Sequence, residues 1–378
     1  MQVVFLSPAH PFRGGIAQFT QMWASALMSR EHTVKVLTFT RQFPDFLFPG
    51  KTQMDPSPPP PGLDIERIFC AWDPLSWTRT VARIRALAPD VLVVAWWIPY
   101  FGPGYSTVMR LVRRLLPRTR VVVSVHNANP HESWPLARAF TLATMRSAHL
   151  LVTHSSAVAD DLVDMGVARQ NIQVGDHPTY AQYPAPLETR QELRQRLGIQ
   201  ESRVLLFFGY IKKYKGLSTL VDAMPRLLRR FDGDLRMLVV GDFYYDRAEH
   251  DEQARALGVE RNITVVDEYV PDQRVGDYFG AADLLVLPYS SATQSGVLQI
   301  ANHFTLPTVA TAVGDLPRQI QHGVTGLLAQ PESPDDLARQ VEAYFDTRGD
   351  VDYPGNIRRG HGIISWDRLV RILEEAAA

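Results

Sequence analysis

The chain has 378 residues, 46% of them hydrophobic, with 39 Lys+Arg against 40 Asp+Glu and a single cysteine. That length can bury a large core and favours two domains; the near-zero charge exerts no global pull toward nucleic acid, and the lone Cys70 excludes an internal disulfide or a cysteine-built zinc cage. Charge is unevenly spread all the same: residues 1–185 hold 17 basic against 12 acidic side chains, net +5, and the remainder 22 against 28, net −6.

The amino terminus, MQVVFLSPAHP, carries no basic leader and only a short apolar run, so it reads as a first strand over 3–6. No run of about 18 apolar residues occurs, which predicts no membrane-spanning helix, and with one cysteine the expected compartment is the cytoplasm. Gly14-Gly15 precedes a helical pattern and lets the backbone close on a ligand. The spaced third glycine of a dinucleotide fingerprint is missing, so no nicotinamide cofactor is expected.

Apolar runs at 33–38, 91–95, 121–125 and 150–152, separated by helical patterns, predict a doubly wound α/β layout. Residues 55–62, DPSPPPPG, read as a surface loop. RLVRRLLPRTR, 110–120, interleaves five arginines with leucine and valine, which suits either a helix lying on an anionic membrane or a solvated helix face. After the 121–125 strand, two histidines, asparagines and a carboxylate crowd together. His126 could hydrogen-bond a substrate hydroxyl or shuttle a proton, and Glu132 could orient a hydroxyl or stabilise positive charge. A capped turn begun by Asn129-Pro130 is the other reading. His154 and His177 are further candidates.

Residues 175–187, GDHPTYAQYPAPL, lack any period and read as a linker between domains. The alternation then restarts, with strands expected at 204–208, 235–240, 263–266, 284–287 and 309–311. FFGYIKKYKG, 207–216, places Gly209, Lys212, Lys213 and Lys215 between a strand and a helix, where they would neutralise a diphosphate or else form a solvated basic turn. Gly241 and Val270, at two further strand ends, could frame a base and ribose or simply make turns. The most informative stretch is 288–311: a buried strand opens through Thr293, Gln294, Ser295, Gly296 and Val297 into a helix, whose unpartnered N–H groups and dipole form an anion socket. Two Asp-x-Asp pairs, 232–234 and 350–352, fall in polar turns, and no metal site is expected. A last amphipathic helix is predicted over 364–378.

Gly14-Gly15, His126, GYIKKYKG, SATQSGVLQIA and VATAVGDLPRQIQHGVTGLL together resemble glycosyltransferase family 4 along nearly the whole chain. The resemblance implies an α/β GT-B fold of two Rossmann-like doubly wound domains facing a central cleft. Residues 1–180 would bind the acceptor, 188–360 the nucleotide-sugar donor, and 364–378 would cross back to the first domain. It implies a retaining, metal-independent transferase of hexosyltransferase type, moving a sugar from a UDP- or GDP-linked donor to an acceptor hydroxyl in glycan or polysaccharide biosynthesis. The donor is a substrate, no further cofactor is implied, and the acceptor is a saccharide or lipid-linked saccharide; the arginine-rich helix hints at the lipid-linked kind, and with it at peripheral contact with an anionic membrane at its inner face.

The family's diphosphate-contacting lysine falls on Lys215, its sugar-proximal histidine on His126, and its early phosphate-region glycines on Gly14 and Gly15. Tyr210 stands where the family often has arginine, leaving Lys212 or Lys213 to supply a second charge. The family's paired glutamates fall on Ala292 and Ile300, so contacts to sugar hydroxyls and ribose are expected from Thr293, Gln294, Ser295 and Gln299. A nucleotide-sugar epimerase on the same fold and a non-catalytic nucleotide-sugar-binding subunit are the alternatives.

Overall fold

The structure is a computed structural model that describes residues 1–44, 52–55, 57–128, 136–361 and 364–378. The chain divides into two units: Met1–Phe48, Thr52–His177 and Ser365–Ala378 form the first, and Pro49–Lys51 with Pro178–Ile364 the second.

The first unit is built on a parallel sheet of β1 (Gln2–Leu6), β2 (Thr33–Arg41), β3 (Asp64–Cys70), β4 (Val91–Trp96), β5 (Arg120–Val125), β6 (Leu150–Thr153) and β7 (Ile172–Val174), in the order β3-β2-β1-β4-β5-β6-β7. The second carries β8 (Val204–Phe208), β9 (Arg236–Val240), β10 (Ile263–Val266), β11 (Leu284–Leu287), β12 (Thr308–Thr311) and β13 (Gly326–Ala329), in the order β10-β9-β8-β11-β12-β13. Both orders reverse beside the first strand of the unit, between β1 and β4 and between β8 and β11. In an open parallel sheet the loops leaving these strands diverge there and leave a crevice at the carboxyl ends.

The central strands are apolar throughout because helices cover both faces: β4, β8, β11 and β12 are buried along their full length. Strands β3 and β7 were not expected. Asp64–Cys70 reads DIERIFC, with a polar, half-exposed first half, and β7 is only three residues at the sheet edge. Strand β13 was not expected either; Gly326 opens it, where a Cβ would lie 2.2 Å from the Thr308 carbonyl oxygen. The last helix, Asp367–Ala377, belongs to the first unit and buries Leu369, Val370, Ile372 and Leu373.

The arginine-rich segment forms the end of helix Gly102–Leu115, and its apolar stripe does not face outward. Met109 and Val112 are buried in the first unit's core and Leu111 packs against it, so a membrane-lying amphipathic helix is not what this segment provides. Arg113 is tied to the carbonyl of Ala148. Among the described residues no helix is long and apolar enough to cross a membrane.

Candidate functional site

In the second unit the two loops at the strand-order reversal converge. The loop after β8 leaves through Gly209, whose φ of +94° lies in the region that glycine tolerates best. A Cβ there would sit 3.2 Å from Lys215 Nζ and 3.2 Å from Val297 Cγ2, so the ammonium and the second residue of helix Gly296–His303 flank one glycine. The two loops are also joined directly, by the Ser290 N–H donating to the Tyr214 carbonyl at 2.8 Å. From the third side Gly314, at φ +54°, is pressed against the loop: a Cβ would fall 1.6 Å from the Ala292 carbonyl oxygen.

The helix start itself is capped by Ser295, whose Oγ accepts from the Leu298 N–H and lies 3.4 Å from Tyr289 Oη. The Tyr289 ring stands 5.7 Å from Lys215 Nζ, and Gly296 lies against the Tyr180 ring. Lys215 is 8% exposed, with no ion-pair partner among the described residues. Burial, and then the neighbouring Lys212 charge, lower its pKa from the ordinary lysine range to about 7. A cation held dry beside a helix N-terminus, with no counter-charge of its own, is arranged to receive an anion.

The other expected residues separate. Lys213 points away, pairing at 3.2 Å with Glu249, so it does not supply the second charge. Lys212 is exposed, lies over the Tyr244 ring and acts on Lys215 through its charge. Thr293 and Gln294 stay on the socket loop, and Gln294 Oε1 is buried with no hydrogen-bond partner among the described residues. Gln299 is a correction. It is 0% exposed; its amide nitrogen donates to Gln319 Oε1 at 2.8 Å and its oxygen accepts from Thr179, so it braces the helix from below instead of reaching a ligand.

Gly241, at φ +147°, packs on Gly209, where a Cβ would lie 2.0 Å from the carbonyl oxygen, so its role is to let β9 and the β8 loop touch. Val270 is buried at the end of the β10 loop. Sequence reasoning missed the aromatic wall beside it: Tyr210, Tyr244 and Tyr269 follow β8, β9 and β10, with Tyr210 and Tyr269 near parallel at 6.4 Å and Tyr210 edge-on to Tyr244 at 4.9 Å. The available signal was tyrosine within a few residues after each of three adjacent parallel strands, doubled as Tyr244-Tyr245 after β9. Such flat faces suit a nucleobase.

In the first unit, helix Gly15–Met28 begins after Gly14 at φ +120°; Gly15 has open space where a Cβ would stand. His126 closes β5, and its N–H donates to the Trp96 carbonyl. Its ring joins a buried cluster: Phe19 is ringed by His126, His154 and His177 at 4.9, 4.5 and 5.3 Å, with Trp366 at 4.9 Å. Ser124 Oγ meets both His126 Nε2, at 3.3 Å, and His154 Nε2, at 2.8 Å. One hydroxyl proton can serve only one of them, so the other ring nitrogen carries its own proton and donates back.

Burial, reinforced by His177, pushes His126 down to about 3, and burial with His126 and His177 pushes His154 well below the ordinary range. Both rings are neutral at physiological pH. That removes the proton-shuttle reading of His126, because a base must titrate near the working pH, and leaves it as a neutral hydrogen-bonding group. Glu132 lies outside the described residues. The Asp-x-Asp pairs are turn builders: Asp234 holds Ser202 and Arg203, and Asp352 caps helix Tyr353–Asn356.

Comparison with known proteins finds two family matches: residues 13–175 fit the model described as "Glycosyltransferase Family 4", and residues 202–347 that of "Glycosyl transferases group 1". A D-inositol 3-phosphate glycosyltransferase of Corynebacterium aurimucosum is 30% identical over 61% of this chain, which spans 57% of that enzyme's length. An uncharacterized glycosyltransferase of Methanocaldococcus jannaschii is 27% identical over 98% of this chain and 96% of its own. Among solved structures, Anabaena HepE in complex with UDP and glucose superposes with a TM-score of 0.76 at 17% identity, covering 99% of this chain and 98% of that one. That likeness carries the GT-B fold. None of the matches favours the epimerase or the binding-subunit alternative.

Proposed function

The chain belongs to the family 4 glycosyltransferases, and from that membership we propose that it transfers a sugar from a nucleoside diphosphate donor to an acceptor hydroxyl, with retention, in glycan or polysaccharide biosynthesis. The observation that carries the donor half is Lys215, a buried ammonium without a carboxylate partner among the described residues, set beside the start of helix Gly296–His303. In transfer the bond between the anomeric carbon and the diphosphate oxygen breaks as the acceptor oxygen bonds to that carbon. The leaving diphosphate departs with the electron pair, and front-face attack gives it the acceptor proton. The charge that develops on it is what the lysine and the helix N–H groups stabilise, a contribution of several kcal/mol in sites of this kind.

The tyrosine wall supports a stacked base, and UDP in HepE makes a uridine donor the first to test, with GDP-linked sugars second. Gln294 Oε1, buried and unsatisfied, would accept a hydrogen bond from a sugar hydroxyl. A lipid-linked saccharide as acceptor, and with it a peripheral contact to an anionic membrane on the cytoplasmic side, is the reading that the net positive charge of residues 1–185 supports. A thermal-shift screen of nucleotide sugars followed by donor-consumption assays tests the proposal: a UDP- or GDP-linked sugar raises Tm and is consumed with an acceptor, and Lys215→Ala abolishes consumption while leaving the fold intact. Failure of every nucleotide sugar to shift Tm, or full turnover by Lys215→Ala, would refute it.

A further inference from the structure

We infer that Phe43, Trp72 and Tyr100 form a stacking strip on the first unit that holds rings of an uncharged, gluco- or galacto-configured oligosaccharide, so that the acceptor is a glycan of several rings gripped away from its reacting hydroxyl. The inference rests on the transferase reading above and adds to it the length and charge of the acceptor.

The three rings come from three different strand ends. Phe43 follows β2, Trp72 follows β3, and Tyr100 stands in the turn Pro99–Phe101 after β4. Tyr100 stacks on Phe43 with centroids 5.7 Å apart and meets Trp72 at 6.1 Å. Trp72 is 41% exposed and the other two are half-buried, whereas Phe39 and Phe101, the aromatics beneath them, are fully buried. Core packing accounts for the lower layer and leaves the upper one unexplained.

Its place in the sheet points to a ligand. In the order β3-β2-β1-β4-β5 the reversal falls between β1 and β4, where an open parallel sheet binds at its carboxyl ends. Phe43 and Trp72 leave strands on one side of the reversal, His126 and Asn127 leave β5 on the other, and Tyr100 crosses from β4 to meet the first pair. Asn127 Oδ1 is buried with no hydrogen-bond partner among the described residues. A sugar hydroxyl donating to Asn127 beside the neutral His126 lets the rings that follow run across the crevice onto the strip. Two exposed rings about 6 Å apart ask for more than one sugar.

The ligand's class follows from the edges of these rings. Trp72 Nε1 and Tyr100 Oη have no hydrogen-bond partner among the described residues. Burial, and then the neighbouring Cys70, raise the Tyr100 phenol to about 12, so it stays a neutral hydrogen-bonding group. Flat apolar faces with unused polar edges match a pyranose, which has an apolar C–H face and a rim of hydroxyls, whereas an acyl chain would use the faces alone. Charges on the same strand ends are spent inside the protein: Arg67 donates to the carbonyls of Phe39 and Thr40, and Asp73 caps helix Pro74–Leu87. The strip is also held in place, since the Gln53 side chain makes two hydrogen bonds of 3.1 Å to the Phe43 backbone and Trp77 Nε1 donates to the Cys70 carbonyl. A preset platform orders little on binding.

Fluorine NMR of the full chain labelled with fluorotryptophan reads the strip through Trp72, whose resonance is the one lost in Trp72→Phe. Cellotetraose and galactotetraose are the probes, with methyl glucoside as a single ring and octyl glucoside, below its micelle concentration, as an acyl chain. At least one tetrasaccharide shifts the Trp72 resonance, at a half-saturation at least about fivefold below that of methyl glucoside, the gain expected from covering one further ring. Tyr100→Ala removes that advantage and Tyr100→Phe keeps most of it, while both variants retain the Tm shift given by the nucleotide-sugar donor. A Trp72 resonance that neither tetrasaccharide moves overturns the inference. Equal half-saturation by tetrasaccharide and methyl glucoside overturns it too, as does an undiminished advantage in Tyr100→Ala. A response to octyl glucoside alone also overturns it, reassigning the strip to an acyl chain. The titration contains no donor, so a missing donor Tm shift in wild type with the Trp72 response intact counts against the transferase reading alone.

Discussion

Lys215 makes donor binding proton-linked. Its ammonium sits in a dry slot with a pKa brought down to about 7, first by burial and then by Lys212, so the empty site is half-protonated near neutrality. The diphosphate binds the charged form. Burial raises the phenols of Tyr289 and Tyr214 beside it, so neither adds a charge near neutrality. The diphosphate diester of a nucleotide sugar keeps a fixed charge there too. Affinity therefore follows the protonated fraction, which is roughly nine-tenths at pH 6 and one-tenth at pH 8. The donor Kd should rise about tenfold over that interval, equivalent to about 1.4 kcal/mol. Affinity falls as pH rises, since deprotonation removes the cation.

Isothermal titration in buffers of different ionisation enthalpy reads both the Kd and the proton uptake, expected at about half a proton per donor at pH 7. Lys215→Ala should bind donor weakly, with a flat profile and no uptake. A Kd that is constant between pH 6 and 8 in the wild-type protein, or the same slope in Lys215→Ala, would refute the reasoning.

The histidine cluster should make the first unit acid-labile. His126, with its folded value depressed to about 3, binds its proton far more readily when unfolded, so stability is present above the unfolded value near 6.5 and is lost as pH falls through it; the loss is about 2 kcal/mol by pH 5 from this residue. All six tryptophans among the described residues lie in the first unit, so denaturant unfolding followed by indole fluorescence at pH 7 and 5 measures it, and His126→Gln should flatten the slope. Gly314→Ala combines a left-handed backbone with a carbonyl clash at Ala292 and should raise the donor KM at least about tenfold, with the fluorescence-monitored unfolding unchanged. Gln294→Ala should weaken the nucleotide sugar about fivefold while leaving the bare nucleoside diphosphate unaffected, the loss of one hydrogen bond to the sugar. Gln299→Leu removes the donor to the half-buried Gln319 Oε1, while the Gln319 amide nitrogen keeps its bond to Asp315, and should destabilise the second unit by about 1–2 kcal/mol, visible by calorimetry.

The strands at the centre of both sheets were legible because a parallel strand covered on both faces must be apolar along its whole length, and VLVVAW, VLLFF and LLVL are. The edges were not: β3 and β7 are short or half polar, since a strand paired on one side need not pay for full burial. The strand-to-helix loops at 207–216 and 288–297 also announced themselves as an anion site, because glycine, lysine and helix-start chemistry are local. Which lysine serves it was decided only in three dimensions. Lys213–Lys215 forms a 3-10 turn, and three residues per turn send successive side chains in different directions, putting Lys215 inside and Lys213 out to Glu249. The same holds for Gln299, turned inward on its helix to Gln319, for the tyrosine wall assembled from three separate strand ends, and for His126, His154 and His177 meeting around Phe19. Local sequence sets backbone conformation, but the dry environment that shifts a lysine or silences a histidine comes from residues distant in the chain, and only packing brings them together.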